Sequence, residues 1–88
     1  MDTHNFIYSK PTCPYCIRAK ALLTELNIPF TEIQIQNNLA LRDEMISKAG
    51  VHTVPQIFLN DTHIGGCDDL YALHKLGKLK KYAETETV

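Results

Sequence analysis

The sequence has few cysteines, few prolines, no long apolar run and no excess of charge of either sign. Each shortage excludes something. Nine Lys and Arg stand against ten Asp and Glu, a formal charge of −1, so the basic face that nucleic-acid binders carry is missing and no nucleic-acid partner is expected. No apolar stretch approaches the length that spans a bilayer, and no membrane partner is expected either. The opening residues, MDTHNFIYSK, lack a cationic segment followed by an apolar one, so no signal peptide is expected. Three cysteines are too few, and an odd number, for the disulfide framework of a small secreted scaffold. A reducing compartment, the cytoplasm, is the expected location. Repeats, linkers and low-complexity segments are absent as well. What remains is an ordinary globular composition, 44% hydrophobic and 22% charged. With 88 residues there is room for one core, and residues 1–88 read as a single domain, expected to be a monomer.

The chain alternates between strand and helix signals. Residues 5–9, NFIYS, read as a strand, because Phe6, Ile7 and Tyr8 favour extended backbone. From Cys13 the period becomes helical: Cys16, Ala19, Leu22, Leu23 and Leu26 form one apolar stripe. Pro14 suits the first turn, and Asn27 and Pro29 end the helix. Residues 30–35 read as a second strand with Ile33 and Ile35 on one face. Asn38 is placed to cap a second helix carrying Leu41, Met45, Ile46 and Ala49, which Gly50 closes. QIFL, Asn60-Asp61 and THIG read as a hairpin. Asp68 and Asp69 are placed to start a last helix through Leu70, Leu73 and Leu76, closed by Gly77. The remaining KLKKYAETETV is polar and expected to fray, its KLKK run reading as a charged helix end. The expected order is β-α-β-α-β-β-α.

Against this background, residues 10–16, KPTCPYC, stand out, with two of the three cysteines and two of the four prolines. Cys16 shares the apolar stripe. Cys13 sits one turn earlier at the helix start, where unpaired N–H groups and the positive end of the helix dipole stabilise a thiolate. Lys10 adds a nearby cation. Cys13 is therefore the expected nucleophile and Cys16 its partner, at a spacing that lets the sulfurs form or open a disulfide without large backbone movement. A CxxC that closes a strand and opens a helix within a βαβ pattern is a strong redox signal. The competing use is zinc, with Cys13, Cys16, His63 and Cys67 as candidate ligands. It is disfavoured because His63 lies in an expected strand and no second CxxC is present. Cys67 is expected to be a small inert thiol. Asp68 and Asp69 serve as helix caps on the simplest view, and His4 and His74 as surface residues.

CPYC at 13–16, TVPQIF at 53–58 and GGCDDL at 65–70 together resemble the dithiol glutaredoxins of the small bacterial type, from Asn5 to Leu79. The resemblance implies an α/β thioredoxin fold, a four-stranded mixed sheet flanked by three helices, with a cis Pro55 beside Cys13. It implies a glutathione-dependent thiol–disulfide oxidoreductase with a Cys13/Cys16 redox pair. It implies no bound cofactor, with glutathione as reductant and co-substrate. The implied partners are glutathione and glutathionylated or disulfide-bonded proteins. By position, Lys10 and Arg42 would face the glycine carboxylate of glutathione. Thr53 and Val54, next to Pro55, would pair with its main chain. The backbone of Gly66, Cys67 and Asp68 would take the γ-glutamyl carboxylate. Asp68 or Asp69 would meet its amino group, and Tyr15 would flank the reactive sulfur. An alternative is an iron–sulfur cluster carrier ligated by Cys13 and glutathione, against which Pro14 counts. A thioredoxin-like protein reduced by a flavoenzyme is disfavoured by CPYC and GGCDD.

Overall fold

The computed structural model describes residues 4–83. Four short strands, β1 (Phe6–Ser9), β2 (Thr31–Gln34), β3 (Gln56–Leu59) and β4 (Thr62–Gly65), form one sheet in the order β2-β1-β3-β4. β1 runs parallel to β2 and antiparallel to β3, and β3 pairs antiparallel with β4. The sheet is thus mixed, as expected. β1 and β3 occupy the centre, and both faces of the sheet are covered. Ile7, Ile57 and Leu59 point to one side, where α1 (Pro14–Glu25) supplies Ala19, Leu22 and Leu23 and α3 (Cys67–Lys75) supplies Leu70. Tyr8 and Phe58 point to the other, against Met45 of α2 (Leu39–Ala49) and Ile35. This division follows from the two-residue strand period acting on neighbours: 7 and 8, or 57 and 58, must face opposite ways.

Local signals place the boundaries. Asn38 caps α2 by accepting the Leu41 N–H at 3.0 Å, and Gly50 closes it at φ +77°. Asn60 and Asp61, at φ 51° and 64°, make the β3–β4 turn with both central residues left-handed. β1 and β2 are each shorter than expected, and α1 ends at Glu25 with Leu26 as C-cap.

Three expectations change. Gly66, rather than an aspartate, is the N-cap of α3, which begins at Cys67. Leu76, expected on the apolar face of that helix, is 67% exposed, because α3 stops at Lys75. The segment expected to fray instead folds in part: Leu79–Ala83 form a short helix, α4, in which Leu79 is 1% exposed. The apolar side chain of Leu79 inserts into the α1/α3 core, and the lysines around it stay outside. Leu79, Lys80 and Lys81 of KLKK therefore lie in a fourth helix rather than at the end of the third. Residues 84–88 of that segment lie outside the described residues.

If Leu79 pins α4 to the core, Leu79→Ala should lower the unfolding free energy by about 2–5 kcal/mol, as measured in urea. A loss below about 0.5 kcal/mol, typical of surface substitutions, would show that α4 is not held.

Candidate active site

The loop from Lys10 to Thr12 joins the end of β1 to the start of α1, tightened by a bond from the Cys13 N–H to the Lys10 carbonyl at 3.3 Å. Cys13 is the N-cap of α1, with extended backbone at φ −91° and ψ 111°. Pro14 follows at the first helical position, where its missing N–H costs no hydrogen bond. The cap is made by sulfur: the Cys16 N–H donates to Cys13 Sγ at 3.2 Å. On its other side Sγ faces the Val54 carbonyl at 3.9 Å. A thiol can donate weakly to that oxygen, while the Cys16 N–H can be accepted by the sulfur in either form.

The two sulfurs differ in depth. Cys13 is half-buried, and Cys16 is fully buried on the stripe with Ala19, Leu22 and Leu23. Burial first, then the hydrogen bond with Cys13, pushes the Cys16 thiol up to about 12; the Lys10 backbone and the Lys20 charge oppose this. Lys20 is itself paired with Glu32 at 2.7 Å.

Beside Cys13 runs a groove of about 420 Å³. One wall is the loop Thr53, Val54 and Pro55, with a cis Val54–Pro55 peptide bond. The opposite wall is Gly66, Cys67, Asp68 and Asp69 at the start of α3. Tyr15, 55% exposed, stands at the rim. Eight of the residues singled out by sequence thus line one groove. Lys10 and Arg42, both half-buried, are not among its lining, and neither are Cys13 and Cys16; Cys13 borders the groove through its contact with the Val54 carbonyl.

The start of α3 is closely fitted. Asp69 reaches back to accept the Gly66 N–H on Oδ2 at 3.0 Å. A Cβ on Gly65 would lie 2.3 Å from that same oxygen, and Gly65 sits at φ +119°, so any other residue there would displace the Asp69 carboxylate and strain the backbone. The N–H groups of Cys67 and Asp68 have no partner within the helix at these positions. Burial, foremost, pushes the Cys67 thiol up, with the charge of Arg18 opposing.

Val51, Gln56 and Gly65 also line the groove and were not recognised as site residues from the sequence, and so does His63, considered there only as a disfavoured zinc ligand. Gln56 and Gly65 stand inside the TVPQIF and GGCDDL motifs, where position alone could have found them. His63 could not be placed without the strand pairing. Rather than joining the cysteines as a metal ligand, it hydrogen-bonds Gln56 and packs its ring on Phe58.

A parallel–antiparallel sheet with a CxxC at the start of its first helix and a cis-proline loop beside it defines a thioredoxin-fold dithiol protein. The comparisons with known proteins narrow the class. The glutaredoxin family model matches residues 5–64. The chain is 59% identical over 73 residues to glutaredoxin 3 of Escherichia coli K12, covering 83% of this chain and 88% of that one. It superposes on the solution structure of glutaredoxin from Brucella melitensis with a TM-score of 0.83 and 46% identity, covering 98% and 94% of the two chains. On the crystal structure of the buckwheat glutaredoxin–glutathione complex the TM-score is 0.84 at 31% identity, over 92% of this chain and 76% of that one. The chain belongs to the glutaredoxin family, and it is a thiol oxidoreductase.

The raised Cys16 thiol has a consequence for stability. A proton held more tightly when folded favours the folded state below the ordinary thiol value of 9.0. That contribution is lost as pH rises from there towards about 12. The reduced protein should therefore lose stability across this alkaline window more steeply than Cys16→Ala, as followed by urea unfolding at successive pH values. Parallel curves would contradict the burial argument.

Proposed function

We propose that this protein is a glutathione-dependent thiol–disulfide oxidoreductase in which Cys13 attacks and Cys16 resolves. The observation that carries the reading is the unequal placing of the two sulfurs: one at the groove, capping a helix, the other buried a turn away. Attack needs an accessible sulfur, and Cys13 is the one that is only half-buried, at a helix N-terminus with its Sγ accepting the Cys16 N–H. Resolution needs a thiol that stays protonated, and so idle, until a mixed disulfide forms beside it.

On a glutathione mixed disulfide, the Cys13 thiolate attacks the glutathionyl sulfur. The substrate leaves as a thiolate, and Cys13 carries the glutathionyl group. A second glutathione thiolate attacks that sulfur, releasing glutathione disulfide and restoring Cys13. On a protein disulfide, Cys13 forms a mixed disulfide with the substrate. Cys16 then loses its proton and attacks Cys13 Sγ, releasing the reduced substrate and leaving a Cys13–Cys16 disulfide for glutathione to reduce. Glutaredoxin potentials of roughly −200 to −230 mV lie near that of a glutathione pool, so this reduction is feasible. No bound prosthetic group is needed.

The groove suits glutathione in shape and polarity, and the buckwheat relative is known in complex with it. In this reading the main chain of Val54 pairs with the cysteinyl part of the tripeptide, as an added strand would. The first N–H groups of α3 take the γ-glutamyl carboxylate. Asp69 already holds the Gly66 N–H, which leaves Asp68 to meet the amino group. Lys10 and Arg42, outside the groove lining, would approach the glycine carboxylate from its open end. The protein acts as a monomer in a reducing compartment, the cytoplasm, on glutathionylated and disulfide-bonded proteins.

Cys13→Ser should reduce turnover of a glutathionylated peptide to background in a glutathione-coupled assay. Cys16→Ser should keep that activity and lose the reduction of protein disulfides. Full activity in Cys13→Ser would overturn the assignment of roles.

A further inference from the structure

His63 and Gln56 line the groove without belonging to the dithiol or to the expected ligand contacts. Gln56 is the first residue of β3 and only 3% exposed. Its side chain is held at both ends. Nε2 lies 3.0 Å from the Thr53 carbonyl and 3.2 Å from Thr53 Oγ1. Oε1 lies 2.7 Å from His63 Nε2. The Thr53 carbonyl can only accept, which fixes the NH2 of Gln56 toward Thr53 and its oxygen toward His63. That oxygen also only accepts, so His63 must carry a hydrogen on Nε2. The chain of donors therefore runs one way, from His63 to Gln56 to Thr53.

The His63 ring is in turn placed by the sheet. His63 pairs with Phe58 across β3 and β4, and its ring lies on that of Phe58 at 4.9 Å between centroids. Gln56 is two residues before Phe58 and so on the same face, a diagonal neighbour of His63.

The far end of the chain of bonds sets a main-chain direction. The Thr53 carbonyl and the Val54 N–H belong to one planar trans peptide, so they point opposite ways. Fixing the carbonyl onto Gln56 aims the Val54 N–H away from Gln56. Among the described residues that N–H has no hydrogen-bond partner within the chain. We propose that His63 is a positioning residue: through Gln56 it locks the Thr53–Val54 peptide in the orientation that presents the Val54 N–H to the main chain of a bound thiol peptide.

The proposal rests on the glutathione reading above, and two measurements keep the two separable. In steady-state turnover of a glutathionylated peptide, His63→Leu keeps apolar bulk over Phe58 but removes the donor. Its KM should rise by about fivefold, the scale of one lost net hydrogen bond, with a smaller change in kcat. His63→Gln carries an amide N–H near the position of the imidazole Nε2 and should return KM to within about twofold of the parent protein. A His63→Leu variant with unchanged KM, or a His63→Gln variant as impaired as His63→Leu, would overturn the relay. Independently of any ligand, long-range proton–nitrogen correlation spectra of the His63 ring should show the Nε2–H form in mildly alkaline buffer. A ring protonated only on Nδ1 would overturn the relay as well. A parent protein that turns over the peptide but is indifferent to glutathione would instead overturn the function proposed above, with the ring tautomer still deciding the relay.

Discussion

A helix that begins at Pro14 needs an acceptor at residue 13 for a hydrogen bond from its first turn, and the acceptor here is a sulfur. Ser, Thr, Asp and Asn are the usual choices, because a short oxygen-bearing side chain reaches the exposed N–H groups. Cys13 fills the role with Sγ on the Cys16 N–H. The cap fixes where the sulfur points, and it concentrates the positive end of the helix on an atom that can bear negative charge. The second cysteine is then placed by packing alone. With α1 rolled so that Ala19, Leu22 and Leu23 meet the sheet, the residue one turn before Ala19 is necessarily buried, and that residue is Cys16. The difference between the two thiols is thus a by-product of seating an amphipathic helix whose cap is a cysteine.

The sheet register brings the rest of the site to the same end. Tyr8 pairs with Gln56, so the chain leaving β1 toward Cys13 and the chain entering β3 from Pro55 meet at one end of the sheet. The antiparallel β4 returns there too, with Gly65 opposite Ile57, and delivers Gly66 and the start of α3. Three segments far apart in sequence converge because two of the strand pairs are antiparallel. The Val54 carbonyl at 3.9 Å from Cys13 Sγ joins the first two of them.

Much of this was legible in the sequence because it depends on local rules. The α1 stripe, the Asn38 cap, the Asn60–Asp61 turn and the placing of Cys13 at a helix start all follow from residues within one or two turns of each other. What escaped depends on distant partners. α4 forms because Leu79 finds a gap in the α1/α3 core, and nothing in KLKK announces that gap. Leu76 looked like a core residue by spacing, but α3 ends just before it. His63 acquires a role only when β4 pairs with β3 and sets its ring over Phe58. The register shift between Ile57 and Phe58, with Ile64 as the extra residue on β4, is what brings His63 opposite Phe58.

At the start of α3 the helix cap and the groove wall are built from one set of atoms. Asp69 takes the Gly66 N–H, and its carboxylate fills the space a side chain on residue 65 would need. The bare Cα of Gly65 therefore lets the carboxylate lie close against the backbone. With that charge turned back onto the helix, in the proposed reading the N–H groups of Cys67 and Asp68 take the anionic end of the ligand and the exposed Asp68 its cationic end. An amino acid's own carboxylate and ammonium groups have that paired polarity. The same geometry explains why Cys67 differs from Cys13 although both stand at helix starts: Cys67 is buried and its thiol is pushed up, so it lines the groove as a neutral wall, while the half-buried Cys13 caps its helix with the sulfur itself.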